Sequence, residues 1–99
     1  MIVINANKIK KIDLVDWKIA RQAKVDSIEV LYNKVIYQGD ETSQARMSRS
    51  INALPNDTVA IPWTAKDNST HMLTKGDLAN ILLDAGTQQS VLWNDGRPV

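Results

Sequence analysis

The tetrapeptide Thr74-Lys-Gly-Asp77 narrows the folds open to this chain more than any other feature. A threonine followed three residues later by an acidic side chain is a capping box. The hydroxyl accepts the third helical N–H, and the carboxylate reaches back to the N–H of the cap. Leu78, Ile81, Leu82 and Ala85 follow at helical spacing, so a helix starts at a defined residue and has a defined apolar face. Gly86 could end it, or the helix could accept an interior glycine at about 1 kcal/mol. Continuation through Val91-Leu92-Trp93 is preferred, because Leu92 stays in phase with Leu78 and Ala85, and Asn94-Asp95-Gly96 then ends the helix.

Upstream, the pattern alternates between the two periodicities. A helix is expected over residues 13–31, with Asp13 or Asp16 as cap. Its inward side would carry Ala20, Ala23, Ser27 and Leu31, flanked by Ile19, Ile28 and Val30, and Asn33 would close it. Residues 34–38 read as a strand ended by Gly39-Asp40. A second helix is expected over residues 42–54, with Met47, Ile51 and Leu54 facing a core and Pro55 as its stop. Residues 59–64 and 70–73 form a hairpin around Asp67-Asn68-Ser69. Pro62, which lacks an N–H, places the first of these strands at an edge or a bulge.

The chain of 99 residues is therefore expected to be a single small α+β domain, with about three helices packed on a short, mainly antiparallel sheet. Residues 1–12 would form an N-terminal strand or arm, residues 13–93 the core and residues 94–99 a tail. Ile2-Val3-Ile4 is β-prone and could add a strand to its own sheet or a neighbour's. With Trp93 it makes the candidate subunit interface.

Composition removes most chemistries. No cysteine is present, which excludes disulfides and thiolate metal sites. The single histidine, His71, falls on a predicted strand, where an edge position explains it better than a catalytic base, and no Gly-x-Ser-x-Gly elbow marks a serine. Asp40-Glu41 and Asp67-Asn68 could offer oxygens to Mg²⁺ or Ca²⁺, yet both sit where turn chemistry already accounts for them. The glycines at 39, 76, 86 and 96 are too scattered to cradle a phosphate. The expectation is no enzyme and no cofactor. Twelve basic and eleven acidic residues give a net charge of +1. The dense basic cluster, Lys8, Lys10 and Lys11, is followed by Asp13 and Asp16, so nucleic acid is not the expected partner. Neither a signal peptide nor an apolar run of the roughly 20 residues a membrane span needs is found, so a soluble chain is expected. Of the three tryptophans, Trp17 and Trp63 are expected in the core and Trp93 at a subunit contact.

Two blocks of residues carry a resemblance. The first comprises Ile19-Ala-Arg-Gln-Ala23, Val35-Ile-Tyr37 with Gly39-Asp40, and Thr42-Ser-Gln-Ala-Arg46. The second comprises Ile61-Pro-Trp-Thr-Ala-Lys-Asp-Asn68 and Met72-Leu-Thr74. Over residues 17–85 their order and spacing resemble the uncharacterised domain found in phage and prophage proteins, in or beside tail-fibre and tail-fibre-assembly genes. The resemblance implies a non-enzymatic structural or assembly module of the tail, made in the bacterial host cytoplasm and carried into the virion or not. Its partners would be other phage tail proteins or further copies of itself, as a dimer or trimer. The alternative is a small phage regulatory or host-interaction protein, an inhibitor or nucleic-acid binder using Lys8, Lys10, Lys11, Arg46 and Arg49. A metal-dependent hydrolase is a third reading.

Overall fold

Asn33 and Lys34 both adopt positive φ (49° and 66°), the signature of the two-residue type I′ turn that folds a twisted hairpin. In the computed structural model, which describes residues 6–96 and side chains from Leu14 onward, this turn joins two strands. They are β1 (Glu29–Tyr32) and β2 (Val35–Gln38), paired antiparallel with Val30 opposite Tyr37. The element before them is α1 (Ala6–Asp26). After them come α2 (Glu41–Ala53), β3 (Ala60–Thr64), β4 (Thr70–Thr74) and α3 (Lys75–Asn94). The described residues thus form a small α+β domain of three helices and two separate two-stranded antiparallel sheets, β1-β2 and β3-β4.

Two expectations are corrected here. The first helix begins at Ala6, so residues 6–12 of the expected arm are helical, and it ends at Asp26 rather than near Leu31. Residues 29–32 are β1, and Asn33 belongs to the hairpin turn rather than to a helix end. The expected inward face of α1 is also wrong: Ala20 and Ala23 are exposed, as are Ile19 (65%) and Leu31 (69%). The inward row is Trp17, Arg21 and Val25, leading into Ile28. An arginine in that row broke the apolar stripe that the sequence pattern could register. The expected strand at Ile2–Ile4 lies outside the described residues.

The core gathers on α3. Leu78, Ile81 and Ala85 are fully buried and meet Val25, Ile28, Val30, Tyr37, Met47 and Leu73. Leu92 packs against the same cluster, so the helix runs through Gly86 to Asn94 as its phase requires. Met47 of α2 and Leu54 at its C-cap are buried and Ile51 is half-buried, the face expected for that helix. At the start of α3, the Asp77 N–H donates to Thr74 Oγ1 (3.2 Å) and the Thr74 N–H to Asp77 Oδ2 (2.9 Å), completing the capping box. The Tyr32 hydroxyl adds a third bond to Asp77 Oδ1 (2.6 Å), tying the cap to the end of β1. The Thr74 N–H foremost, and Tyr32 next, hold the Asp77 carboxyl below the usual carboxylate range.

The first hairpin and α3 come into close contact at Gly39. A β-carbon there would stand 2.8 Å from Ile28 Cγ2 and 3.0 Å from Ala85 Cβ, inside contact distance of two buried groups. Gly39→Ala is expected to destabilise the domain by about 1–3 kcal/mol, the usual range for overpacking, read as a lower urea midpoint. Lys34→Gly acts in the other direction. It removes the left-handed-region penalty of roughly 1 kcal/mol and should raise the thermal midpoint. A Lys34→Gly variant no more stable than the parent would argue against the turn geometry.

Candidate functional site

The β3–β4 turn is the local structure that builds the site. The Ala65 N–H donates to the Ser69 carbonyl (2.8 Å) and the Asn68 N–H to the Ala65 carbonyl (3.0 Å). Asn68 takes positive φ (67°), so three loop residues end in a left-handed position that asparagine tolerates. Asp67 accepts from both the backbone N–H (2.9 Å) and the hydroxyl of Ser69. The Ser69 hydroxyl first, then its N–H, hold the Asp67 carboxyl below the usual carboxylate range. His71 Nε2 lies 2.8 Å from the same hydroxyl. Asp67, Ser69 and His71 are thus in line, but in the wrong order for a nucleophilic triad. The serine proton goes to the carboxylate, and the imidazole meets the hydroxyl from the other side.

Two clefts flank this turn. The larger, about 610 Å³, lies between Lys34, Ile36, Asp67 and His71 and is mainly apolar. The other, about 350 Å³, opens between the end of β2, the first turns of α2 and β3. Its walls carry Gln38, Ser43 and Arg46 on one side and Trp63, Thr64 and Asn68 on the other, with Lys66 at the rim. Parts of the two sequence blocks singled out above, Ser43 and Arg46 from the first and Pro62 to Lys66 with Asn68 from the second, therefore converge on one surface. They are joined through space by the Lys66 N–H donating to the Ile36 carbonyl (2.9 Å).

The cleft is donor-rich. Ser43 is turned toward Asp40, whose carboxylate accepts its hydroxyl proton. Lys66 forms an ion pair with Glu29, both about half exposed and so worth little in stability. Arg46, the amides of Gln38 and Asn68, and the Trp63 N–H make no side-chain hydrogen bond among the described residues. No histidine, aspartate or glutamate lines the cleft. Among the described residues no group of three or more His, Cys, Asp or Glu side chains could hold a metal ion. None of their helices is long and apolar enough to cross a membrane.

The other candidate residues are distributed elsewhere. Arg49 is exposed one turn along α2 from Arg46 and is not part of the cleft. Lys8, Lys10 and Lys11 lie on α1, with side chains outside the described residues, and Ile2, Val3 and Ile4 lie outside them altogether. Trp93 is 38% exposed and packs within the chain. Its ring centroid is 3.5 Å from the Arg21 guanidinium carbon, which also lies 4.6 Å from the Trp17 ring. The Trp17 indole N–H donates to the Asp95 carbonyl (2.8 Å). This clamp closes the end of α3 onto α1. Arg21 Nε is buried there without a partner among the described residues. Sequence reasoning gave Trp93 no such neighbour, since the contact spans more than 70 positions.

The fold and the cleft define a small α+β domain with an open, donor-rich cleft between its two hairpins. The chain belongs to the family described as Domain of unknown function (DUF4376), which matches residues 4–97. No curated protein and no solved structure matches it.

The hydrogen bonds of the turn give a titration test. Asp67 stabilises the folded turn above the unfolded aspartate pKa, and that contribution is lost as pH falls through its lowered folded value. Ser69→Ala is expected to move the Asp67 carboxyl midpoint back up toward the ordinary range, followed by carbon-detected NMR. An unmoved midpoint would remove Ser69 as the cause.

Proposed function

We propose that this domain is a non-enzymatic structural or assembly module that grips a partner chain, working in a phage tail or tail fibre. The observation that carries the recognition part is the convergence of the Ser43–Arg46 and Trp63–Asn68 segments on one cleft. The groups there suit holding a ligand rather than transforming it. A guanidinium, two amides and an indole can each bind, whereas acid–base chemistry needs a titratable pair within reach of a reacting atom. The tail setting is supported by the resemblance of the two sequence blocks. Tail assemblies are symmetric, so the module is proposed to act as a dimer or trimer, with Trp93 near the contact.

The test is biochemical. Light scattering across a dilution series is expected to return a dimer or trimer, and a tagged chain should co-purify with tail or tail-fibre chains expressed beside it. A chain that stays monomeric, is absent from purified virions and is dispensable for fibre folding would end this reading.

A further inference from the structure

Strand alternation shows what lies at the floor of the 350 Å³ cleft. In the first hairpin the Gly39 N–H bonds the Ile28 carbonyl (2.8 Å), in register with the β1–β2 ladder. Residues 35, 37 and 39 therefore face β1, and Ile36 and Gln38 turn their main-chain N–H and C=O groups outward. In the second hairpin the Ala65–Ser69 bond sets residues 61, 63 and 65 against β4. This leaves Ala60, Pro62 and Thr64 facing out.

The two outward rows meet once, at the Lys66 N–H to Ile36 carbonyl bond. In an antiparallel continuation the next pair would be Gln38 with Thr64. Yet β2 and β3 belong to different sheets, and among the described residues no backbone bond joins those two. Both line the cleft instead. The strands splay just past their one shared bond, and Pro62, the next outward residue, has no N–H with which to close the gap.

We infer that this cleft binds a short extended peptide segment bearing a carboxylate, with Arg46 taking the carboxylate and the facing edges of Gln38 and Thr64 taking the peptide main chain. The inference rests on reading the domain as a recognition module. Splayed edges offer both donors and acceptors, the alternation that an extended main chain complements. A phosphate backbone would use the donors alone. The charge count argues the same way: Arg46 has no acidic partner among the described residues, and the charge of Lys66 at the rim is offset by the neighbouring Glu29. One free guanidinium matches one carboxylate in a bidentate pair, not a polyanion. The half-buried Trp63 supplies an apolar wall for the neighbouring side chain.

The experiment titrates the full chain, nitrogen-15 labelled, with four probes at one ionic strength. They are a capped five-residue peptide with a central glutamate, its glutamine counterpart, the glutamine peptide with a free C-terminal carboxylate, and a five-residue oligothymidylate. The glutamate peptide, the free-carboxylate peptide or both should shift the Trp63 indole and Thr64 and Asn68 amide signals. Whichever binds tells a side-chain carboxylate from a terminal one. Arg46→Ala should weaken that binding about tenfold or more, the scale of a lost charge-assisted pair. Arg46→Lys, which keeps charge without the fork, should recover only part of it. Arg49→Ala should leave it unchanged. Equal binding of the capped glutamine peptide, shifts confined to other surfaces, indifference to Arg46→Ala, or tighter binding of the oligothymidylate would each overturn the inference. If the peptide binds but the chain is absent from virions, the tail setting fails and the site stands.

Discussion

The close approach of Ala85 to Gly39 is the contact on which the rest of the domain depends. It lets the third helix lie close on the end of the first hairpin, with only the Ala85 methyl from the helix against the bare Gly39 backbone. From there Leu78 and Ile81 reach the buried faces of Val30, Tyr37 and Leu73, and the opposite flank of the helix packs on α2. A helix held half a side chain farther away would leave voids along its buried face. Close-packed interiors lose dispersion contacts at once when such gaps open. The capping box contributes a second constraint, because Tyr32 bonds Asp77 and so fixes where the helix begins relative to β1. One end is set by hydrogen bonds and the middle by steric fit.

The far end is set by a different force. Arg21 lies between the rings of Trp17 and Trp93, and the Trp17 N–H caps the Asp95 carbonyl just past the helix end. Cation–π contacts of this kind contribute about 0.5–2 kcal/mol, more as the cation loses water. They attach α1 along a row that otherwise holds few buried side chains. This explains why α1 leaves Val15 and Ile19 more than half exposed: the helix is held by a polar-aromatic clamp and by Val25, not by a broad apolar stripe.

What the sequence disclosed follows from which interactions are local. The start of α3, the inward face of Met47, Ile51 and Leu54, and the β3–β4 hairpin each depend on residues a few positions apart. The first hairpin was hidden because its turn is Asn33-Lys34 rather than Asn-Gly, and lysine at positive φ carries no recognisable turn signal. The inward row of α1 was hidden because Arg21 interrupts it, and the ring that makes an arginine acceptable there comes from the other end of the chain. In the sequence Arg46 stands as a contact for an anionic partner beside Arg49 and the lysines of α1, not beside Trp63 and Asn68. That grouping needs the two hairpins to be placed side by side, which no periodicity reports.

The cleft itself is a consequence of two sheets that do not merge. A single four-stranded sheet would join β2 to β3 along the rows that begin at Ile36 and Lys66, and the loop residues 66–68 bring the strands close enough for that first bond. Merger stops there for reasons on both sides. Beyond Gln38 the chain turns at Gly39 into the first turn of α2, where Asp40 and Ser43 bond each other, so the strand has no further residue to offer. Beyond Thr64 the next outward position is Pro62, which has nothing to donate. Main-chain groups that cannot be paired within the fold must meet water or a ligand. Here they do so beside a guanidinium with no acidic partner among the described residues and an indole wall. The failure of the sheet to close and the opening of the cleft therefore go together: β2 and β3 share one bond at Ile36 and Lys66, Gln38 and Thr64 stay apart, and neither the turn into α2 nor Pro62 can restore the pairing.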